Sequence, residues 1–151
     1  MQNKIKSFLQ IFSPVIIGGI IGFALQMSMD YQNLNQPPLA PPAILFPIAW
    51  TILYFLIGLS YYFYKQDYPD FDTTTFFYYL QLFFNYLWPI LFFAFKLRFL
   101  SIFWIITLVI LVIFLISQYY QKKKGSAYLL IPYLIWLLFS TYLNICVYIL
   151  N

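Results

Sequence analysis

Five apolar runs, each closed by a short stretch of charge, proline or polar side chains, dominate this chain and leave it one kind of solvent. They cover residues 8–29, 43–64, 76–95, 99–120 and 126–150. At about 1.5 Å of rise per residue, runs of this length cross a hydrocarbon layer of about 30 Å as helices. Only 8% of the 151 residues are charged and 64% are hydrophobic, whereas an ordinary soluble domain carries about 25% charge. A soluble fold of this length has nowhere to hide so many apolar side chains, so lipid is the solvent. The expected fold class is all-α: residues 1–151 form one integral membrane domain, a bundle of five transmembrane helices. The first run exceeds the usual 7–15-residue core of a signal peptide and lacks a clear small-x-small cleavage site, so it reads as a retained span.

The punctuation between the runs carries the topology. Lys4 and Lys6 precede the first run, Lys65 follows the second, and Lys122, Lys123 and Lys124 follow the fourth. Lys96 and Arg98 lie on the other side, in a tight turn between the third and fourth runs. The six against two places the amino terminus in the cytoplasm, with the first loop and the carboxy terminus outside. The cations flank apolar runs and do not form a nucleic-acid surface. Asp67, Asp70 and Asp72 cluster in the second loop, but without the glycine turn and terminal Glu of an EF-hand. A solvated loop is expected there, with Asp72 and the threonines after it supplying a helix N-cap.

Chemistry is restricted by what is missing. Histidine is absent and Cys146 is the only cysteine. That excludes disulfides, His-based dyads and triads, zinc sites and a His-ligated haem iron. No metal and no cofactor are expected. Cys146 lies in an apolar run and reads as packing.

What remains is aromatic. Phe, Trp and Tyr make up 25% of the chain, more than interfacial belts need, so some rings should line an interior. The stiffest stretch is the loop from Asp30 to Pro42. Pro37, Pro38, Pro41 and Pro42 fix their own φ angles and restrain the residues before them. It is either a lid over a pocket or a plain connector. Three helical stripes run beneath it: Trp50, Tyr54, Gly58 and Tyr61; Gln81, Asn85, Trp88 and Phe92; Trp136, Ser140, Asn144 and Val147. Counting helical rise from the loop side puts Trp50, Trp88 and Asn144 near about 10 Å, Tyr54, Asn85 and Ser140 near about 15 Å, and Trp136 near about 20 Å. Gln81, Asn85 and Asn144 are costly against lipid and should face inward. Facing stripes of this kind make either a closed seam or a cavity for a flat, apolar molecule. Lys96 and Arg98 lie on the loop side and either pair with carboxylates of such a ligand or snorkel to the interface. Gly18 and Gly22 have GxxxG spacing, a close-approach surface or chance.

At these residues the chain resembles the translocator protein family, also called the tryptophan-rich sensory or peripheral benzodiazepine receptor family, and reads as a bacterial member. Tyr31-x-x-Leu34-x-x-Pro37 with Pro41-Pro42, Phe46-Pro47, Trp50-x-x-x-Tyr54 and Gly58 is similar to the family's first loop and second helix. Gln81-x-x-x-Asn85-x-x-Trp88-Pro89 with Phe92-Phe93 is similar to its third helix. Pro132-Tyr133-x-x-Trp136, Thr141-x-Leu143-Asn144 and Asn151 are similar to its fifth.

The resemblance implies a pocket beneath the first loop and, often, a homodimer. It implies binding of porphyrin or another hydrophobic aromatic small molecule, with Tyr31, Trp50, Tyr54, Asn85, Trp88, Trp136 and Ser140 at the positions of ligand contacts. Some bacterial members are described as degrading protoporphyrin in light and oxygen. The two tryptophans implicated there match Trp50 and Trp136, which makes them the catalytic candidates. The chain departs from the family pattern at Gln36, where Lys is usual, and at Pro38-Leu39, where an aromatic residue is missing. It also lacks the basic residue of the carboxy-terminal sterol motif after Tyr148, and Leu115-x-x-x-Tyr119-x-x-Lys122 is too loose a pattern to replace it. The expected function is a membrane receptor for porphyrin-like ligands that promotes their photodegradation. The alternatives are a transporter of small hydrophobic molecules and a ligand-tuned regulatory scaffold.

Overall fold

The computed structural model describes residues 2–151. Its elements are α1 (Gln2–Leu25), α2 (Leu45–Asp67), α3 (Thr73–Pro89), α4 (Arg98–Lys122), α5 (Lys124–Leu129) and α6 (Ile131–Leu150). A 3-10 turn extends α1 through Ser28, and a π-helical turn, Ile90–Ala94, extends α3. These segments make five helical stretches long and apolar enough to cross a membrane. The five expected spans are present, displaced by a few residues at their ends, where polar residues such as Lys65 and Asp67 continue the helices into the interface.

Two prolines account for the interruptions. Pro89 has no N–H for the carbonyl one turn back, and the backbone widens into the π-helical turn directly after it. Pro132 sits in the first turn of α6, and the fifth span breaks at Leu130 into α5 and α6. Pro47 lies in the first turn of α2, where a missing N–H does little harm.

The buried core is drawn from α2, α3, α4, α5 and α6. Ile57, Ile105, Leu108, Val112, Leu115 and Leu137 are fully or almost fully enclosed in it. Helix α1 lies outside, packed mainly on α2. Its Phe23 is 81% exposed and Ile20 63% exposed, which turns one long face of α1 outward to hydrocarbon. Close approach to α2 depends on missing side chains. A Cβ on Gly58 would overlap the Ile11 carbonyl of α1, and one on Gly18 would overlap the Tyr54 ring. Gly22 has no neighbour within 4 Å of where its Cβ would stand. The Gly18–Gly22 pair is therefore not a helix seam within this chain. Gly18 alone makes the contact.

The end of the bundle away from the first loop is closed by tyrosines and ion pairs. Tyr61 and Tyr78 stack with centroids 4.0 Å apart, and Tyr64 lies 4.9 Å from both Tyr68 and Tyr119. Asp72 accepts from the Thr75 backbone at 2.9 Å, the expected N-cap of α3. It also takes hydrogen bonds from Tyr64 and, at 2.8 Å, from Lys122. Lys123 pairs with Asp67. The second loop is thus not merely solvated, because two of its three acids are tied to the α4–α5 junction. Burial works against ionising Asp72, but the bonds from Lys122, Tyr64 and Thr75 outweigh it and hold the carboxyl well below the usual range.

Candidate functional site

The first loop is a strap drawn across the other end of the bundle and fastened at several points. Asn35 and Asn151 clasp one another, with Asn35 N–H donating to the Asn151 side chain at 2.9 Å and the Asn151 amide donating back to the Asn35 carbonyl at 3.3 Å. Tyr142 donates to the Pro38 carbonyl at 2.7 Å, and Tyr31 to the Pro41 carbonyl at 3.1 Å. Burial raises the Tyr31 phenol above its ordinary value, which keeps it a donor. Gln36 donates to the Tyr31 carbonyl. At the strap's tip the chain turns through Pro37–Ala40, with Leu39 at φ 67° and 82% exposed.

Asp30, where the strap begins, is held by Arg98 at 2.7 Å and Lys96 at 3.5 Å. Lys96 and Arg98 thus have a partner beyond the two alternatives that the sequence suggests. A strap carboxylate occupies them.

Beneath the strap lies a cavity of about 780 Å³ enclosed by α1, α2, α3, the π-helical turn and α6. Six of the seven expected contact residues line it: Tyr31 from the strap, Trp50 and Tyr54 from α2, Asn85 and Trp88 from α3, and Ser140 from α6. Trp136 does not. Its ring lies edge-on behind Trp50, with centroids 6.5 Å apart and planes at 88°, and edge-on to Phe46 at 6.0 Å. It sits about one turn deeper on α6 than Ser140, so the bulk of Trp50 screens it from the chamber. Its indole Nε1 is buried without a hydrogen-bond partner among the described residues.

The inward-facing amides are in place, and each is bonded to another helix. Tyr54 donates to Asn85 Oδ1 at 2.6 Å, Asn85 Nδ2 donates to the Tyr133 hydroxyl at 2.7 Å, and Tyr133 donates to Gln81 Oε1 at 2.9 Å. This relay joins α2, α3 and α6. Nearer the strap, Trp88 Nε1 donates to Asn144 Oδ1 at 2.9 Å. Asn144 Nδ2 in turn donates to the Arg98 carbonyl at 3.3 Å, with the Ser101 hydroxyl 3.1 Å from Asn144 Oδ1. Buried amides bonded in this way set the distances between helices, since each loses its partner if the helices shift, although Gln81 Nε2 itself has no partner among the described residues.

Two members of these relays escape the sequence reading. Tyr133 extends the Trp136–Ser140–Asn144 stripe by one further step of three, a signal that was available. Ser101 gives no such signal, being a small hydroxyl in an aliphatic span. Ser140 is buried at the cavity wall and has no side-chain hydrogen bond within the described residues. It is a polar group free to meet a guest.

The sequence compares with known proteins over nearly all its length. Residues 10–150 match the model of the TspO/MBR family. A tryptophan-rich protein TspO of Archaeoglobus fulgidus is 36% identical over 153 aligned positions, covering 99% of both chains. A tryptophan-rich sensory protein of Cereibacter sphaeroides is 35% identical, covering 82% of this chain and 77% of its own. The translocator protein of Homo sapiens is 30% identical, covering 78% and 72%. With five helices long and apolar enough to cross a membrane and a family match over residues 10–150, the chain is a multi-pass membrane protein and belongs to the TspO/MBR family.

Proposed function

We propose that this protein is a membrane receptor that holds a flat, largely apolar ring compound of the tetrapyrrole class in the cavity under the strap. The supporting observation is a chamber of about 780 Å³ walled by Trp50, Tyr54 and Trp88, with Ser140 unengaged. Small-molecule sites commonly enclose about 300–1,000 Å³ and combine apolar walls with a few polar groups. Ring faces offered by indole and phenol add about 0.5–1.5 kcal/mol per aromatic contact beyond area burial. Asn85 and Asn144 are spoken for within the protein, so orienting the guest falls to Ser140. Lys96 and Arg98, held by Asp30, are not required for affinity.

Protoporphyrin titrated against tryptophan fluorescence in detergent, in the dark, tests this reading. Saturable quenching is expected, weakened several-fold in Trp50→Phe and little changed in Trp136→Phe. No saturation, or equal loss in both variants, would overturn it. Illumination of the same samples reads the photodegradation that the family resemblance implies. Trp50 at the wall is placed to meet a photo-generated oxidant first, with Trp136 one ring behind. Flux into proteoliposomes without breakdown would replace the receptor with a transporter.

The Lys and Arg distribution supports a cytoplasmic amino terminus with the strap outside. In a Cys146→Ser background, an impermeant thiol reagent on intact cells is expected to label Asn35→Cys and spare Lys124→Cys. A homodimer is the proposed assembly, to be checked by mass measurement in detergent.

A further inference from the structure

A second cleft, of about 530 Å³, opens at the end away from the strap, between the first turns of α1, the end of α2 and the start of α3. Ile5, Leu9 and Phe71 give it apolar walls, and Phe71 is 72% exposed at its mouth. Lys6 of α1 and Lys65 of α2 both border it.

Three of the chain's four acids are already held in ion pairs. Asp30 pairs with Arg98 and Lys96, Asp67 with Lys123, and Asp72 with Lys122. Asp70 gives Lys65 its backbone carbonyl at 2.6 Å, while its carboxylate and that of Asp72 attract Lys65 from beyond ion-pair distance. Among the described residues neither Lys6 nor Lys65 has an ion-pair partner. Lys65 Nζ lies 5.7 Å from the Tyr61 ring centroid and 5.9 Å from that of Tyr64, and it keeps two N–H groups for a further acceptor. The Ser13 hydroxyl and the Gln10 amide lie along the same cleft. Two ammonium groups from different helices thus share an apolar-walled recess where the helices leave the hydrocarbon. Water serves the charges and not the walls, whereas an amphiphile with an anionic head serves both. Basic pockets between helices at a membrane surface hold lipid headgroups for this reason.

We propose that this cleft is a binding site for one anionic glycerophospholipid, its phosphate held by Lys6 and Lys65 and the start of an acyl chain lying along Leu9 and Phe71. The site is separate from the strap-side cavity and does not depend on what that cavity binds.

Native mass spectrometry of the full chain in neutral detergent, titrated with phosphatidylglycerol or phosphatidylcholine, tests the proposal. One phosphatidylglycerol is expected to be retained with an affinity about tenfold above that for phosphatidylcholine. The double variant Lys6→Gln, Lys65→Gln should lose that preference, and Lys6→Arg, Lys65→Arg should keep it. Lys124→Gln, at the same end but over the Tyr120 ring outside the cleft, should leave it unchanged. Should the double variant fail to fold, Lys6→Gln alone, at an exposed position of α1, is expected to lower the preference about threefold. Equal retention of the two lipids would overturn the proposal, as would a preference that survives loss of the lysines. So would competition by glycerol 3-phosphate at the concentrations where phosphatidylglycerol binds, which would mark a soluble-anion site.

Discussion

At the end remote from the strap, Tyr61 lies flat on Tyr78 with planes 8° apart, and Tyr64 is wedged against Tyr68 and Tyr119. At the strap end, Trp50 meets Tyr133 at 69° and Trp136 at 88°, with centroids more than 6 Å away. Both ends are rich in rings, yet one stacks them flat beside a surface cleft and the other sets them round a larger chamber. The two ends differ in the polar groups that join their helices. Tyr64 bonds to Asp72 beside it in the same cluster, and Lys122 seals the group from the interface. Tyr54, Asn85, Tyr133, Trp88 and Asn144 join their helices through neutral amide, hydroxyl and indole groups, without an ion pair. Those bonds act as struts that fix helix spacing around the chamber. Aromatic content therefore does not decide between a seam and a cavity.

The largest expected effect tests how firmly α1 is seated. Gly58→Val drives a side chain into backbone carbonyls that cannot rotate away, and overpacking of that kind costs about 3 kcal/mol. Gly19→Ala, with open space around its Cβ, should fall within about 0.5 kcal/mol of the parent. Thermal unfolding in detergent compares the two, and equal midpoints would refute the close contact.

Next come the struts. Tyr133→Phe leaves Asn85 Nδ2 and Gln81 Oε1 without their partner and is expected to cost about 1–3 kcal/mol. Tyr79→Phe at the packed end removes only a half-exposed hydroxyl bond to Tyr61 and should cost about 0.5 kcal/mol or less. If the order is reversed, the strut description fails.

Acid sharpens the contrast in a different way. The Asp72 carboxyl titrates below its unfolded value, so its contribution is complete above about pH 4 and is lost as pH falls through the folded value. Unfolding midpoints should drop on acidification, and Asp72→Asn should lower the midpoint at neutral pH and flatten that limb.

The smallest effect lies at the strap's tip. Leu39 holds a left-handed φ of 67°, a conformation that costs a side-chain-bearing residue about 1–2 kcal/mol. Leu39→Gly should raise stability by up to about 1 kcal/mol, part of the gain being lost to the freer unfolded chain.

Much of this architecture could be read from the residues. The spans followed from apolar length, whereas the interruptions beside Pro89 and Pro132 came with the structure. The inward turn of Gln81, Asn85 and Asn144 followed from the cost of an amide in hydrocarbon. The family resemblance led to the lining residues, and Trp136 is the one the structure sets apart. Helical spacing fixes the face a residue shares with its neighbours, but not which of two rings on facing helices stands in front. The capture of Lys96 and Arg98 by Asp30 was hidden for a related reason. Those partners are 66 and 68 residues apart, and they meet only because the strap folds back over the α3–α4 turn. The pairing of Asp72 with Lys122, 50 residues on, is of the same kind.

One wall of the chamber is thin. Where α1 passes it, Gly19 and Gly22 present bare backbone with nothing packed against them, and the outer face of α1 is bathed in acyl chains. If the chamber holds a lipophilic guest, as proposed above, the bilayer and not water is the reservoir that supplies it. Its apparent dissociation constant, expressed against total aqueous concentration, will rise in proportion to the lipid or detergent added. Expressed as mole fraction in the membrane, it will stay constant.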